Sequence, residues 1–276
     1  MMTEGRDFVS DSEVKKDVTF GHVDPENRKE ISDYYGFEVV NKFSKVAEET
    51  TFDKMIDYRQ EQMRQGCLRV ATAREGKDLI ATSVVVLKDM ADGRHTLGKE
   101  IESNEAFAAG TFILPSKRGS EVAKRLATEQ EKITEEAGKK SILTEIDYNN
   151  SPSMRFRMNK MGYCLYGTKI QDKDGQELYV YRYKKNLENP EDVGPRDPAN
   201  QPPWVEKIKV GELKIHDSEV NPDSPPEILI SPDNIKQIQA ALANNYKGVS
   251  LINPELDFPD EKAKPIDKNY IVFIKD

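Results

Sequence analysis

Phe112-Ile113-Leu114-Pro115-Ser116-Lys117-Arg118-Gly119-Ser120-Glu121-Val122-Ala123 is the stretch that decides how this chain folds. An apolar strand, Ala106 to Leu114, ends in a polar turn that passes directly into a helix expected from Ser120 to Ala137. In that helix Val122, Leu126, Ile133 and Ala137 fall within an arc of roughly 60° at helical spacing. The first turn of a helix presents backbone N–H groups without intrahelical partners, and the macrodipole adds partial positive charge, so the junction suits phosphate. Lys117 and Arg118 would add charge-assisted contacts. Taken alone, the same residues also describe an ordinary strand-to-helix connection with solvated basic side chains.

Upstream, Val18 to Val23 reads as a strand, followed by Asp24-Pro25 as N-cap and first helical residue of a helical region to about Glu48, broken near Gly36. Thr51 caps a second helix in which Met55, Ile56, Arg59 and Met63 share a face before Gly66 ends it. Leu68 to Arg74 and Leu79 to Leu87 are strands joined by the hairpin signal Glu75-Gly76-Lys77-Asp78. Downstream come a strand from Ile142 to Asp147 and a short helix from Ser153 to Met161. A hairpin then pairs Tyr163 to Ile170 with Leu178 to Lys184, turning at Asp174-Gly175.

Proline and charge mark a division. Twelve of the 15 prolines lie from Pro190 onward, and residues 187–276 carry −7 of the net −8 charge. This predicts a domain over 1–186, a proline-rich acidic linker over 187–203 and a small α+β domain over 204–276. In the last, Val205 to Val210, Glu212 to Ile215, Glu227 to Ile230 and Tyr270 to Ile274 read as strands. Ser231-Pro232 opens a helix whose face is Ile235, Ile238, Leu242 and Tyr246, with Gly248 just past its end. This region belongs to no family recognisable from its residues, and packing on the first domain is its expected role.

Composition excludes several classes. A hydrophobic fraction of 37% with 33% charged residues fits a water-soluble globular chain. No apolar run reaches the roughly 20 residues needed to span a bilayer, and the polar, acidic start is unlike a signal peptide, so a cytoplasmic location and no membrane partner are expected. The negative charge argues against nucleic acid. Cys67 and Cys164 lack metal-ligand spacing and are expected as reduced thiols. His22, His95 and His216 are scattered, so no metal is expected.

The order of elements from Val18 to Lys184 resembles the GNAT superfamily of acyl-CoA-dependent N-acyltransferases. Within it, Arg118-Gly119-Ser120-Glu121-Val122-Ala123 is similar to the family's pyrophosphate loop, Arg/Gln-x-x-Gly-x-Gly/Ala. Asn150-Ser151-Pro152-Ser153 with Asn159-Lys160-Met161-Gly162-Tyr163 is similar to its second segment. The resemblance implies an α/β fold, a GNAT-like mixed central sheet flanked by helices, followed here by the small C-terminal α+β unit.

It also implies acetyl-CoA, or another acyl-CoA, as co-substrate. The backbone of Phe112, Ile113 and Leu114 would pair with the pantetheine arm. Arg118, Gly119, Ser120, Val122 and Ala123 would hold the pyrophosphate, and Asn150 and Ser153 would contact the thiol end or the arm. An acetyl group would pass by direct attack of a primary amine on the thioester, the acceptor being a small molecule or a protein. Two departures stand out: Glu121 occupies the central glycine of the loop, and Met158 occupies the place of the tyrosine that protonates the leaving thiolate in many members.

Glu145 and Asp147, on one face of their strand with Leu143, are candidate bases, with Glu105 a further carboxylate; each also reads as a plain solvated acid. Tyr163 and Tyr148 are candidates to replace the missing tyrosine. Loops over Tyr34 to Phe52 and Lys88 to Asn104 are the expected substrate walls, and Ala106, Ala108, Ala109 and Gly110 leave room for a longer acyl chain. The alternative reading is a GNAT-like binding module without activity, acting through a protein partner.

Overall fold

The computed structural model describes residues 18–41, 51–90, 102–173, 176–188, 204–205, 207, 212–213, 215–216, 219–253, 257 and 269–275. The chain forms two compact units that meet in sequence at Lys139 and Lys140.

The first unit runs β1 (Val18–His22), α1 (Arg28–Val40), α2 (Phe52–Arg64), β2 (Leu68–Glu75), β3 (Asp78–Val86), β4 (Glu105–Ile113) and α3 (Glu121–Glu136). Its strands form an antiparallel meander in the order β1-β2-β3-β4. Both sheet faces are covered, because side chains alternate along each strand. On β2, Leu68 and Val70 pack with Ile31, Tyr34, Tyr35, Ile56 and Met63 from α1 and α2. Ala71 and Ala73 turn the other way, to Val122, Leu126 and Ile133 of α3.

Two helix starts follow from local chemistry. Thr51 caps α2 as expected, its hydroxyl accepting from Lys54 N. The Asp24-Pro25 start is corrected: Asp24 closes a turn through Glu26 N, and Asn27 is the cap, bonded to Glu30 N. Glu30 reaches back to Asp24 N, so carboxyl and amide side chains settle the entry three residues later than the proline suggests. Helix α1 continues through Gly36 to Val40, so the loop expected over Tyr34 to Phe52 is helical as far as Val40; residues 42–50 and 91–101 lie outside the described residues.

The second unit runs β5 (Ser141–Asp147), α4 (Ser151–Arg155), a π-helical turn (Phe156–Lys160), β6 (Cys164–Lys173), β7 (Gln176–Asn186), β8 (Glu227–Ile230), α5 (Ile235–Ala243), β9 (Tyr246–Ile252) and β10 (Tyr270–Lys275). Its strand order is β5-β7-β6-β9-β10-β8. The strand ladders are antiparallel, and Ile215 adds a parallel bridge to Leu229, which makes this sheet mixed. The α/β class, a mixed sheet with flanking helices, is the one the sequence implied, and the order of elements from β1 to β7 is the expected order. The turn at Asp174-Gly175 and residues 189–203 of the expected linker lie outside the described residues.

The C-terminal elements differ most from expectation. They do not stand apart from residues 140–186: β9 pairs with β6 at Leu165 and Gly248, the Tyr181 hydroxyl donates to Pro232 O, and Arg155 pairs with Asp257 at 2.7 Å. Trp204, Val205 and Lys207 are helical, not a strand, and Trp204 and Val205 pack against Leu229, Val249 and Val272. Helix α5 is capped by Asn234 and stops at Ala243, because Asn245 takes a left-handed φ of 64° that asparagine tolerates. Tyr246 therefore opens β9 instead of closing the helix, and Val249, Leu251 and Ile252 are buried. Among the described residues no helix is long and apolar enough to cross a membrane.

Candidate functional site

In the first unit the residues expected to hold the cofactor lie on one continuous strand, turn and helix. Phe112 and Ile113 end β4, paired with Thr82 and Ala81. Leu114 N donates to Ile80 O at 3.0 Å and starts a single 3-10 turn, Pro115–Lys117. The Ser120 hydroxyl fixes the turn from both sides, donating to Lys117 O at 2.6 Å and accepting from Val122 N at 3.4 Å. Gly119 sits between at φ 76°, a conformation that disfavours any side chain, and a Cβ there would meet no atom within 4 Å. The space beside Gly119 is therefore open. Arg118 is exposed beside it, its Nε donating to Ile113 O at 3.4 Å, while Lys117 is held by Glu75 at 2.6 Å. Of the residues expected here, Val122 is buried in the core and offers only its backbone, and Ala123 is half-buried. Glu121 is exposed in the first turn of α3, so a carboxylate stands at this helix start.

The strand leading there carries a close contact and an irregularity. A Cβ on Gly110 would lie 2.7 Å from the Phe112 ring, so the ring folds back over the glycine. The register with β3 shifts between Val84 and Val85, which face Gly110 and Ala108; Ala109 is the extra, bulged residue and is exposed. Ala106 and Ala108, expected to leave room for an acyl chain, are buried, Ala106 within the core under α3.

In the second unit Asp147, Asn150 and Ser153 come together where β5 meets α4. Asn150 N donates to Asp147 O at 2.9 Å, and Asn150 Oδ1 caps α4 by accepting from Ser153 N at 3.3 Å. Asp147 is exposed, and among the described residues no ion pair holds it. Glu145 is different: its side chain is 12% exposed and lies 3.6 Å from both Lys169 Nζ and Arg182 Nε. The cations on β6 and β7 engage it as a structural ion-pair partner.

Tyr163 is corrected as a catalytic candidate. It is wholly buried, and its hydroxyl accepts from Arg157 Nη1 at 3.2 Å with that guanidinium over its ring. Enclosed in this way, the phenol faces the Arg157 guanidinium and not solvent. Met158 is buried as well, and Tyr148 is half-buried.

Gln130 was not singled out from the sequence. It is wholly buried on α3, and Nε2 donates to Val84 O at 3.3 Å and Gly110 O at 3.4 Å, the pair of residues next to the bulge. The available signal was an uncharged amide one turn past Leu126, on the edge of the apolar stripe. Tyr34, Tyr35, Glu38 and Gln62 form a second buried polar group on α1 and α2, and burial raises the Tyr34 phenol pKa above its ordinary value.

No protein-family model matches the chain, and no curated protein matches its sequence. Among solved structures it is similar to an N-acetyltransferase from Staphylococcus aureus Mu50, with 14% identity over 62% of this chain and 99% of that one, at a TM-score of 0.48. It is also similar to a putative acetyltransferase of Salmonella typhimurium solved with acetyl-CoA, at 15% identity, 62% and 95% coverage and a TM-score of 0.47. A spermidine/spermine N-acetyltransferase from Vibrio cholerae gives 14% identity, 63% and 94% coverage and a TM-score of 0.47. At that distance the likeness says nothing of this chain's substrate or activity.

Proposed function

We propose that this chain is an acyl-CoA-dependent N-acyltransferase that moves an acetyl group from acetyl-CoA to a primary amine by direct attack. The observation that carries the reading is the junction of β4 and α3. There an open left-handed turn at Gly119 leads into a helix N-terminus with Arg118 exposed beside it. Backbone N–H groups and a guanidinium suit a pyrophosphate, and Arg118, Gly119, Ser120, Val122 and Ala123 are the residues that would hold it. The acceptor is an amine on a small molecule or a protein.

In the reaction the amine nitrogen forms a bond to the thioester carbon and the carbon–sulfur bond breaks. The amine proton passes to a carboxylate or to water, and the thiolate takes a proton from water. Asp147 is the carboxylate we assign to the first transfer, since it is exposed and Glu145 is engaged by Lys169 and Arg182. With Tyr163 enclosed and Met158 in the tyrosine's place, solvent supplies the second proton.

A second reading, a GNAT-like binding module without catalysis, is favoured by Glu121, whose carboxylate stands in the first turn of α3. Titration with acetyl-CoA by calorimetry, with Arg118→Glu as control, separates the two. Binding lost in the variant supports the phosphate loop, and an Asp147→Asn variant should then lower kcat by about 10²-fold with an active amine. No binding of acetyl-CoA or of longer acyl-CoAs sinks the enzyme reading.

A further inference from the structure

We infer that Gln130 is a positioning residue that fixes the backbone of β4 at its bulge and thereby sets where the acyl end of the thioester lies. The inference rests on the acyltransferase reading above.

An amide buried within a helix's apolar contact surface is costly unless its hydrogen bonds are made. Gln130 makes them to two carbonyls, Val84 O and Gly110 O, and these belong to the last residues paired before the register shifts. A bulge leaves its extra residue unpaired and removes local ladder bonds. One side chain from α3 thus replaces support that the ladder does not give between Val84 and Val85. The Ser83 hydroxyl also reaches Gly110 O at 3.5 Å and Thr111 Oγ1 at 3.0 Å, so Gly110 O is held by two side chains. The Thr134 hydroxyl donates to Gln130 O at 2.7 Å, a backbone contact within the helix that does not involve the Gln130 side chain.

The held point has a place along the substrate path. From Leu114 back to Gly110 the strand covers roughly 13 Å. A pantetheine arm lying along β4 from phosphates at Arg118 to Ala123 therefore carries its thioester toward Gly110 and Ala109. Ala109 is exposed and Gly110 has no side chain, so the backbone is the surface the acyl group meets there. A shift of that backbone alters thioester placement without touching the phosphate loop, and misplacement of reacting atoms by about 1 Å costs on the order of 10²-fold in rate.

The test compares the full-length protein with Gln130→Met, which keeps the chain's length and removes the donor, and with Ser83→Ala. Thr134→Val serves as control, because it deletes a buried hydroxyl on the same helix without touching the β4 carbonyls. Calorimetry gives affinities for acetyl-CoA and for CoA, steady-state kinetics gives kcat and the acceptor KM, and amide hydrogen exchange follows Ala108 to Thr111. For Gln130→Met we expect CoA affinity within about twofold of wild type and a kcat roughly tenfold lower or more, with the acceptor KM unchanged and faster exchange at Ala108 to Thr111. Ser83→Ala should move the same readouts in the same direction by less, and it decides the matter if Gln130→Met does not fold.

Unchanged kcat and exchange in Gln130→Met, or equal changes in Thr134→Val, overturn the positioning role while leaving the acyltransferase reading intact. A wild-type protein that binds no acyl-CoA overturns both.

Discussion

The side-chain amide of Asn159 bonds both backbone groups of Leu251: Nδ2 donates to Leu251 O at 2.7 Å, and Oδ1 accepts from Leu251 N at 3.0 Å. Ser250 Oγ lies 3.0 Å from the same Oδ1. An amide used this way acts as a short additional strand, and it fastens the π-helical turn to β9. The segment that resembles the GNAT second motif is thereby bound to the C-terminal strands. Asn159→Ala leaves the Leu251 groups without that partner and should lower stability by about 2–3 kcal/mol. The urea midpoint measures it. A change of a few tenths would mean that water replaces the amide and that the fastening is not structural.

The Phe112 ring and Gly110 are a matched pair. Gly110→Ala brings a Cβ within 2.7 Å of the ring, and the ring must leave its place at a cost of about 1–3 kcal/mol. Phe112→Ala opens that space, so the double variant should be less destabilised than the sum of the singles. A double-mutant cycle in thermal unfolding reads the coupling, and additivity would show that the ring moves freely.

Glu121 should oppose phosphate binding. Its carboxylate sits in the first turn of α3, where a negative charge suits the helix but repels a second anion. Glu121→Gly is expected to tighten acetyl-CoA binding by about fivefold at low salt, equivalent to about 1 kcal/mol, with the gain shrinking as salt rises. Unaltered affinity would place the phosphates elsewhere.

Three buried tyrosines set the alkaline limit. Burial raises the phenol pKa of Tyr34, Tyr181 and Tyr183 above the ordinary value of 10.0. Below pH 10 both states keep these protons and stability does not depend on them. Above it the unfolded chain releases protons that the folded chain retains, so stability falls as pH rises, by up to about 1.4 kcal/mol per pH unit for each tyrosine. Denaturant unfolding between pH 9 and pH 11 checks the slope; a flat profile would mean that these phenols reach solvent in the native state.

The order of elements through β7 was legible because it rests on local signals. The hairpin signal Glu75-Gly76-Lys77-Asp78 between β2 and β3, the stripe of Val122, Leu126 and Ile133, and the cap at Thr51 each act within one element or its neighbour. The candidate phosphate turn was legible for the same reason, since Ser120 and Gly119 shape it through contacts within a few residues.

What only the tertiary structure decided depends on groups far apart in sequence. Tyr163 and Glu145 looked available from their positions. Enclosure beside Arg157 removes the first, and Lys169 with Arg182, from two other strands, engages the second. Gln130 gained its role from carbonyls 46 and 20 residues away. The C-terminal region read as a separate domain because proline and charge change at its border. Composition reports only how a segment meets solvent, whereas the pairing of β9 with β6 and of Asn159 with Leu251 depends on backbone groups that every residue carries, so no residue type announces it. The sequence by itself determined the order of elements through β7 and the turn that could hold phosphate; packing determined which polar side chains are enclosed and which stay exposed.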